Sequence, residues 1–537
     1  MGIPHLFRYL SLTYPHAVHV VQSQRAIPRC DVLCIDFNGI VHECARDLLL
    51  SHKARDDHSV TAASIDRLNH MVSRLRPQQC VFVAVDGVPP RAKMSQQRSR
   101  RYMSMWRRTA FPDAFPSDSW DTNAITPGTA FMDVLGAALA AWAASYPCTA
   151  GPKIHVSDAS EKGEGEQKIF AALRSNQVYS GSTYLCGLDA DLILMALRSP
   201  ARDRLNIVRE QNGALQFIDI KKLASGVAKD MAQPALDNDE GDVVCARLRD
   251  FAALCALLGN DFVPAMPGLR IRDGAVRFLV GAYKRAREGA PPGTRLSSHN
   301  GPDVLGGLNV ILLATILRDV ALHEGGLLAA ADKRYHDRVR WAATAPAALL
   351  ADPEEVYPAL NPPVFGVDAV RPGEGSAWRL RYYHHVFNGA DSASSVRSVC
   401  LSYLCGLAWT LSYLGDQRSL SDGWWYPCGG HAPTAHDMCH LLMDDGLARE
   451  VEGVMEATDR AHRNAAIVGG PLWHLVLVLP PASVDLIRDP ELRALMTRDP
   501  RSAHAFPIDF RIDTYLKDRL WECHPVLPPF CSPPPLL

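Results

Sequence analysis

Seven acidic residues in the first half of the chain stand where an apolar stretch gives way to a turn. Their types and spacing are those of a divalent-cation site. Asp36 closes Val32-Leu33-Cys34-Ile35, Asp86 follows Val81-Phe82-Val83-Ala84-Val85, and Asp189 and Asp191 follow Tyr184-Leu185-Cys186-Gly187-Leu188. Glu164 and Glu166 lie in Gly163-Glu164-Gly165-Glu166, shortly after Lys153-Ile154-His155-Val156, and Asp261 stands in Leu258-Gly259-Asn260-Asp261-Phe262. Oxygen-only ligands suit Mg²⁺ or Mn²⁺, and carboxylates gathered in one place repel one another unless cations sit among them. Two such ions among carboxylates are the usual apparatus for hydrolysing phosphodiesters. A single Asp after a strand is more often a helix N-cap or a turn residue. Caps do not require two carboxylates two residues apart, twice, so the expectation is a metal site.

The elements that must position these groups follow from the pattern around them. Short apolar runs alternating with helical patterns read as buried parallel strands of an α/β sheet. In such a sheet the strand carboxyl ends meet at one crevice, where ligands bind. A basic segment follows Asp86-Gly87-Val88-Pro89-Pro90 directly: Arg91, Lys93, Arg98, Arg100, Arg101, Arg107 and Arg108, with no acidic residue between them. The chain as a whole has 56 Lys+Arg against 58 Asp+Glu, so this is a local patch and no general affinity for polyanions follows. Lys93, Gln97, Arg100 and Arg101 fall on one face of a helix. An ammonium, an amide and two guanidinium forks there suit a terminal phosphate.

At this point the motifs resemble the Xrn-type 5′→3′ exoribonucleases. The resemblance is carried by Met1-Gly2-Ile3-Pro4 with Phe7-Arg8-Tyr9-Leu10, by Asp36-Phe37-Asn38-Gly39-Ile40-Val41-His42, and by Asp86 to Met94 with Gln96 to Tyr102. It continues through the Gly-Glu-Gly-Glu box, Gly187 to Ile193 and Gly259 to Pro264, then resumes in Tyr403 to Trp409, Trp424-Trp425-Tyr426-Pro427, Leu479 to Ser483 and Phe506 to Phe510. It implies that Asp36, Asp86, Glu164, Glu166, Asp189, Asp191 and Asp261 bind two Mg²⁺ ions, with Mn²⁺ a substitute. It implies that Lys93, Gln97, Arg100 and Arg101 accept a 5′-monophosphate and exclude longer 5′ groups, that His42 stacks on the first bases, and that Trp424 supplies a second stacking aromatic, its register against Trp425 open by one residue. The implied reaction is processive 5′→3′ degradation of single-stranded, 5′-monophosphorylated RNA to nucleoside 5′-monophosphates. The implied fold is a mostly parallel α/β nuclease core of the PIN and flap-nuclease type, with a mainly helical C-terminal region packed on it. A flap-type DNA 5′ nuclease and a catalytically inactive scaffold that binds RNA 5′ ends are the alternatives.

At 537 residues the chain can bury a large core, and 21% charged with 47% hydrophobic residues indicates a globular protein. No apolar run reaches the roughly 20 residues of a membrane span, and no signal peptide is evident. The 14 cysteines are scattered without Cys-x-x-Cys and read as reduced thiols. His436, Cys439 and His440 have ligand-like spacing, but a helix face explains them as well. The expectation is an intracellular monomer, cytoplasmic in preference to nuclear, whose sequence names no protein adaptor. Three regions are expected: 1–285 as the nuclease core, 286–377 as a variable linker with a helix from Val304 to Leu322, and 378–537 as a mostly helical region bracing the active site. The middle is short for the resembling family. Lys162 stands where the family has Pro before the acidic box, and Cys428-Gly429-Gly430-His431 replaces an aromatic-rich stretch.

Overall fold

The computed structural model describes residues 2–21, 27–51, 56–112, 120–146, 151–175, 181–187, 189–211, 213–233, 243–297, 304–305, 307–346, 352–373, 375, 377–415, 421–444, 446–499 and 503–528. Expectations that fall on Leu188, on Ser298 to Pro302, on Glu374 and Ser376 and on the Pro-rich end beyond Pro528 lie outside the described residues.

A seven-stranded sheet forms the first layer. Its strands are β1 (Val18–Val21), β2 (Val32–Asp36), β3 (Cys80–Ala84), β4 (Lys153–Ser157), β5 (Thr183–Cys186), β6 (Leu205–Gln211) and β7 (Ala214–Asp219), in the order β1-β7-β6-β5-β2-β3-β4. The strands from β6 across to β4 are all parallel, while β7 runs antiparallel to both β6 and β1. The apolar runs behave as expected: β2 and β5 are almost wholly buried, as strands covered on both faces must be. The chain leaves β2 in one direction through β3 to β4, then returns to β2's other side with β5. That reversal creates a crevice at the carboxyl ends of β2 and β5, the place where open α/β sheets bind ligands.

Helices α1 (Leu6–Thr13), α2 (Phe37–Leu50), α3 (Asp57–Leu75), α4 (Arg91–Ala110), α5 (Ala130–Ala144), α6 (Gly165–Arg174), α7 (Ala190–Arg198), α8 (Ile220–Asp230), α9 (Val243–Ala256) and α10 (Ala275–Glu288) belong to the first part of the chain. The second part contributes α11 (Val310–Thr344), α12 (Pro353–Leu360), α13 (Trp378–Val386), α14 (Ala393–Tyr413), α15 (Ala435–Leu442), α16 (Leu447–Val478) and α17 (Pro490–Thr497). One apolar core runs from Ile3 and Leu6 through the sheet and α7 to Tyr403, Trp409 and Trp424 of the second part, so the two parts share their interior. No helix among the described residues is long and apolar enough to cross a membrane.

Two local expectations need correction. The helix expected from Val304 begins only at Val310 and runs on to Thr344, because Gly307, at φ 85°, turns a short hairpin of β8 (Val304–Leu305) and β9 (Leu308–Asn309) first. The Asn309 side chain then accepts from Leu312 N at 2.8 Å and caps the helix. The C-terminal region is also not helical throughout: β10 (Arg511–Asp513) and β11 (His524–Val526) pair as a small antiparallel ribbon.

Candidate active site

Asp36 is the last residue of β2 and stands at the N-cap position of α2, Glu164 at that of α6 and Asp189 at that of α7, yet none of the three side chains makes a capping hydrogen bond. Elsewhere in the chain Asp56, Asp219, Asp352 and Asp489 stand at the same position and do cap. The cap explanation therefore fails where the metal-site expectation needs it to fail. The carboxylates turn into the crevice, and the helix N-termini behind them place partial positive charge at its floor.

The acidic box owes its compactness to glycine. Gly163 adopts φ 103°, and a Cβ on Gly165 would sit 2.7 Å from Asp36 Oδ1 and 3.4 Å from Asp86 Oδ1, so only glycine lets this backbone close on the two acids. Gly165 N in turn donates to Asp86 Oδ1 at 2.7 Å. Asn38 fixes the same loop, its Oδ1 accepting from Asp86 N at 3.0 Å. Lys168 holds it from behind, donating to Val85 O at 2.8 Å and Asp158 O at 2.7 Å.

Asp261 enters differently from the other six. It follows α9, not a strand, in a turn where Gly259 takes φ 80° and Asn260 Oδ1 accepts from Phe262 N (2.8 Å) and Val263 N (3.0 Å). The expectation that Asp261 also ends a strand is corrected accordingly. Lys93 reaches across from α4 and pairs with Glu164 Oε2 at 2.5 Å and Asp261 Oδ2 at 3.0 Å. Among the described residues no three carboxylates are gathered around one point at ligand spacing; the Lys93 ammonium lies between two of them instead.

The electrostatics identify what the cluster lacks. Burial, with Asp86 and Asp189 alongside, pushes the Asp36 carboxyl well above its usual value. Burial does the same to Glu166 against the pull of Lys93, and burial with Asp261 raises Asp191 to about 7. Asp261 goes the other way: burial is the largest single influence and raises it, but the positive charges around it, Lys93 foremost and Arg100 among them, together hold it well below the ordinary carboxylate range. The buried Lys93 ammonium acts on Asp36, Glu164, Glu166, Asp189, Asp191 and Asp261. The donor set is all oxygen, buried or half-buried and crowded with like charge, so Asp36, Asp86, Glu164, Glu166, Asp189, Asp191 and Asp261 could hold hard divalent cations.

The four pocket residues expected on one helix face all lie on α4, but their surroundings separate them. Lys93 is inside the acidic cluster. Gln97 is buried, its Oε1 2.9 Å from Nε2 of His474 on α16. Burial and the charge of Arg101 push His474 down to about 3, which leaves a neutral ring whose Nε2–H donates to the amide oxygen. Arg100 is exposed, and Arg101 is half-buried with Nε donating to Thr126 Oγ1 at 2.9 Å. Burial and the neighbouring Arg100 charge lower Arg101 while Asp86 raises it; a guanidinium nonetheless stays protonated at neutral pH. His42 is an exposed residue within reach of the same charges, and desolvation with the charges of Arg100 and Arg101 lowers it to about 3.

The rest of the basic segment is structural. Arg91 covers the Trp425 ring at 3.9 Å, Arg98 donates to Ala505 O and Pro528 O, Arg107 pairs with Glu354, and Arg108 lies 3.7 Å from Asp121. Trp424 requires the clearest correction. It is 1% exposed and packs against Trp409 and Gly406 in the core, so it offers no open face to a nucleobase. Trp425 is half-buried, with one face under Arg91. His436 and His440 face each other across one helical turn, Nε2 to Nε2 at 3.2 Å, but Cys439 turns inward to Ala314 O, which leaves a helix face and no third ligand from this trio. Lys162 pairs with Asp422 at 2.5 Å, joining the acidic-box loop to the second part of the chain.

Residues 1–211 match the family model described as the XRN 5'-3' exonuclease N-terminus, and residues 246–296 and 364–532 match the Xrn1 helical domain. The chain belongs to the Xrn family. It is similar to the 5'-3' exoribonuclease 2 of Debaryomyces hansenii, 33% identical over 357 residues that make up 53% of this chain and 35% of the relative. It is similar to the 5'-3' exoribonuclease 2 homolog of Drosophila melanogaster at 26% identity, over 98% of this chain and 69% of the relative. It is also similar to the 5'-3' exoribonuclease 1 of Schizosaccharomyces pombe, 31% identical over 54% of this chain and 24% of the relative. The matched segments span only 35% to 38% of the Debaryomyces, Eremothecium and Kluyveromyces relatives.

Sequence reasoning missed Asn38, Thr126, Lys168, Tyr413 and His474. Asn38 lies inside the Asp36 to His42 motif and was within reach of a local reading. The others touch the site from 25 to 377 positions away from their partners, apart from the contact of Lys168 to Asp158 across 10.

Proposed function

We propose that the protein is a Mg²⁺-dependent 5′→3′ exoribonuclease that removes nucleoside 5′-monophosphates processively from single-stranded RNA carrying a 5′-monophosphate. The observation that carries this reading is adjacency: Arg101 lies within the field of Asp86, and His42 within those of Arg100, Arg101 and Asp189, so anion-binding groups border the acidic crevice. The names of the curated relatives, 5'-3' exoribonucleases 1 and 2, support the same direction of attack.

In this reading the seven carboxylates would hold two Mg²⁺ ions, or Mn²⁺ in their place, and the chemistry supplied there would be activation of a water and stabilisation of charge on the leaving 3′ oxygen. The chain's own residues do the positioning. Arg101, its plane set by the Thr126 contact, receives the terminal phosphate together with Arg100, and Gln97, held by His474, adds an amide. Lys93 offsets charge between Glu164 and Asp261. The neutral ring of His42 stacks on the first base, a contact that tolerates any sequence. Fixing the 5′ end sets the first phosphodiester over the acids, and such positioning supplies much of a rate enhancement. Each cut leaves a new 5′-phosphate on the shortened strand, so the recognised end is regenerated.

Matched 5′-phosphorylated RNA and DNA strands, incubated with Mg²⁺ or with chelator, test this. Degradation of RNA alone, and only with the metal, is expected. Equal cleavage of DNA would favour the flap-type nuclease, and tight RNA binding without cleavage would favour the scaffold.

A further inference from the structure

Tyr413 ends α14, in the second part of the chain, yet its hydroxyl lies inside the acidic cluster. The phenol oxygen is 2.7 Å from Glu164 Oε1 and 2.6 Å from Glu166 Oε1. The same residue is tied a second time to the same box, because Gln167 Nε2 donates to the Tyr413 carbonyl at 2.9 Å. The ring itself has little freedom. It stacks on Trp409 at 5.4 Å and 16°, and meets the edge of Phe262, the neighbour of Asp261, at 4.6 Å. Trp409 is fixed in turn by donating from Nε1 to Ser421 O at 2.7 Å. Glycine permits the approach: a Cβ on Gly406 would lie 2.3 Å from Val263 Cγ1, so α14 could not pack so closely on the Asp261 loop with any side chain there.

We propose that Tyr413 is a positioning residue of the active site, whose hydroxyl sets the orientation of Glu164 and Glu166 toward the divalent cations. The inference rests on the metal-dependent nuclease reading above. A phenol has one proton to donate, and Lys93 already holds the other oxygen of Glu164. Given to Glu166 Oε1, that proton leaves Glu166 Oε2 for a cation, while Glu164 stays oriented between the phenol oxygen and Lys93. Partners of this kind, one bond removed from the metal, typically change metal affinity by about 10–100-fold when removed. The second part of the chain thereby acts on the site through a positioning contact and not only as a brace.

Tyr413→Phe removes the hydroxyl and keeps the ring, and Trp409→Phe loosens the stack beneath the ring and keeps the hydroxyl. Mn²⁺ binding to the metal-free full chain, followed by titration calorimetry or by electron paramagnetic resonance, gives a readout independent of turnover. Tyr413→Phe is expected to weaken Mn²⁺ binding by about 10–100-fold and to raise the Mg²⁺ concentration for half-maximal cleavage by a similar factor. It should lower kcat while KM for 5′-phosphorylated RNA stays within about twofold, the pattern of a lost contact that serves chemistry and not substrate binding. Trp409→Phe should lower the melting temperature and leave Mn²⁺ affinity close to wild type. Wild-type metal affinity and Mg²⁺ midpoint in a folded Tyr413→Phe protein would overturn the inference. So would an equal loss of affinity in both variants, which would reduce Tyr413 to a packing residue. A wild-type protein that neither binds Mn²⁺ nor cleaves RNA would instead remove the nuclease reading, and the inference with it.

Discussion

Replacing Arg101 with Ala should erase most of the preference for a 5′-phosphate. The side chain is half-buried on α4 and donates from Nε to Thr126 Oγ1 at 2.9 Å, which sets the plane of the guanidinium. Its two terminal nitrogens then form a fork that suits phosphate oxygens. Hydrogen bonds to charged groups are each worth about 1.5–3 kcal/mol. At about 1.4 kcal/mol per factor of ten, losing one such contact lowers kcat/KM on 5′-phosphorylated RNA by roughly 10- to 150-fold. On 5′-hydroxyl RNA the same change should have little effect, since no phosphate meets the fork. The assay is kcat/KM on matched strands that differ only at the 5′ end, for wild type, Arg101→Ala and Arg101→Lys. Lysine restores the charge without the fork or the Thr126 bond, so partial recovery is expected. An unchanged preference in Arg101→Ala would refute the assignment of the pocket. An equal loss on both strands would mean that Arg101 supports the fold and not the phosphate.

Asp191→Asn should abolish cleavage and leave the melting temperature in chelator equal to or above wild type, because a neutral isostere relieves repulsion among buried carboxylates; near wild-type cleavage would remove Asp191 from the metal site. Trp424→Phe should cost about 1–3 kcal/mol of stability by loosening a packed core, with KM for RNA unchanged; a tenfold rise in KM at unchanged stability would return Trp424 to the stacking role. Glu324, 1% exposed and accepting from Ala435 N at 2.6 Å, has its carboxyl raised by burial from 4.5 to about 8. Its folded form favours the proton, so the stability it contributes is complete below pH 4.5 and is lost as pH rises toward 8, up to roughly 5 kcal/mol in all. Glu324→Gln should therefore flatten the fall in stability between pH 5 and 8 in urea titrations, and an unchanged slope would refute this.

Much of the site was legible because its signals are local. A carboxylate after a buried apolar run, repeated around one sheet, places itself once the strands are parallel, and the 91–110 helix follows directly from a motif that already contains Asp86. The α/β core in outline was legible for the same reason. What escaped was set by tertiary packing. Trp424 reads as a stacking aromatic from its motif, but the fold sends it to Trp409 and Gly406 and leaves Trp425 nearer the surface. Tyr413 and His474 reach their partners across 247 and 377 positions, and no periodicity marks such contacts. Asp261 shares its residue type with the strand-end acids but arrives on a turn after a helix, because Asn260 and Gly259 supply the turn that a strand end supplies elsewhere. The Gly307 hairpin that delays α11 is a short element inside an apolar stretch where pattern alone favours a helix, and the Arg511–Asp513 strand of the ribbon is only three residues long, too short for a period to show.

In the proposed reaction a metal-loaded acidic crevice and a phosphate pocket act on the same end of the same strand. Its most direct test is degradation of a 3′-labelled single-stranded RNA with Mg²⁺, comparing 5′-monophosphate, 5′-hydroxyl and 5′-triphosphate ends while the released products are identified. Rapid loss of the monophosphate substrate alone, without ladder intermediates and with nucleoside 5′-monophosphates as the product, is the predicted result. Cleavage of all three ends at similar rates, or internal fragments in place of mononucleotides, would contradict it.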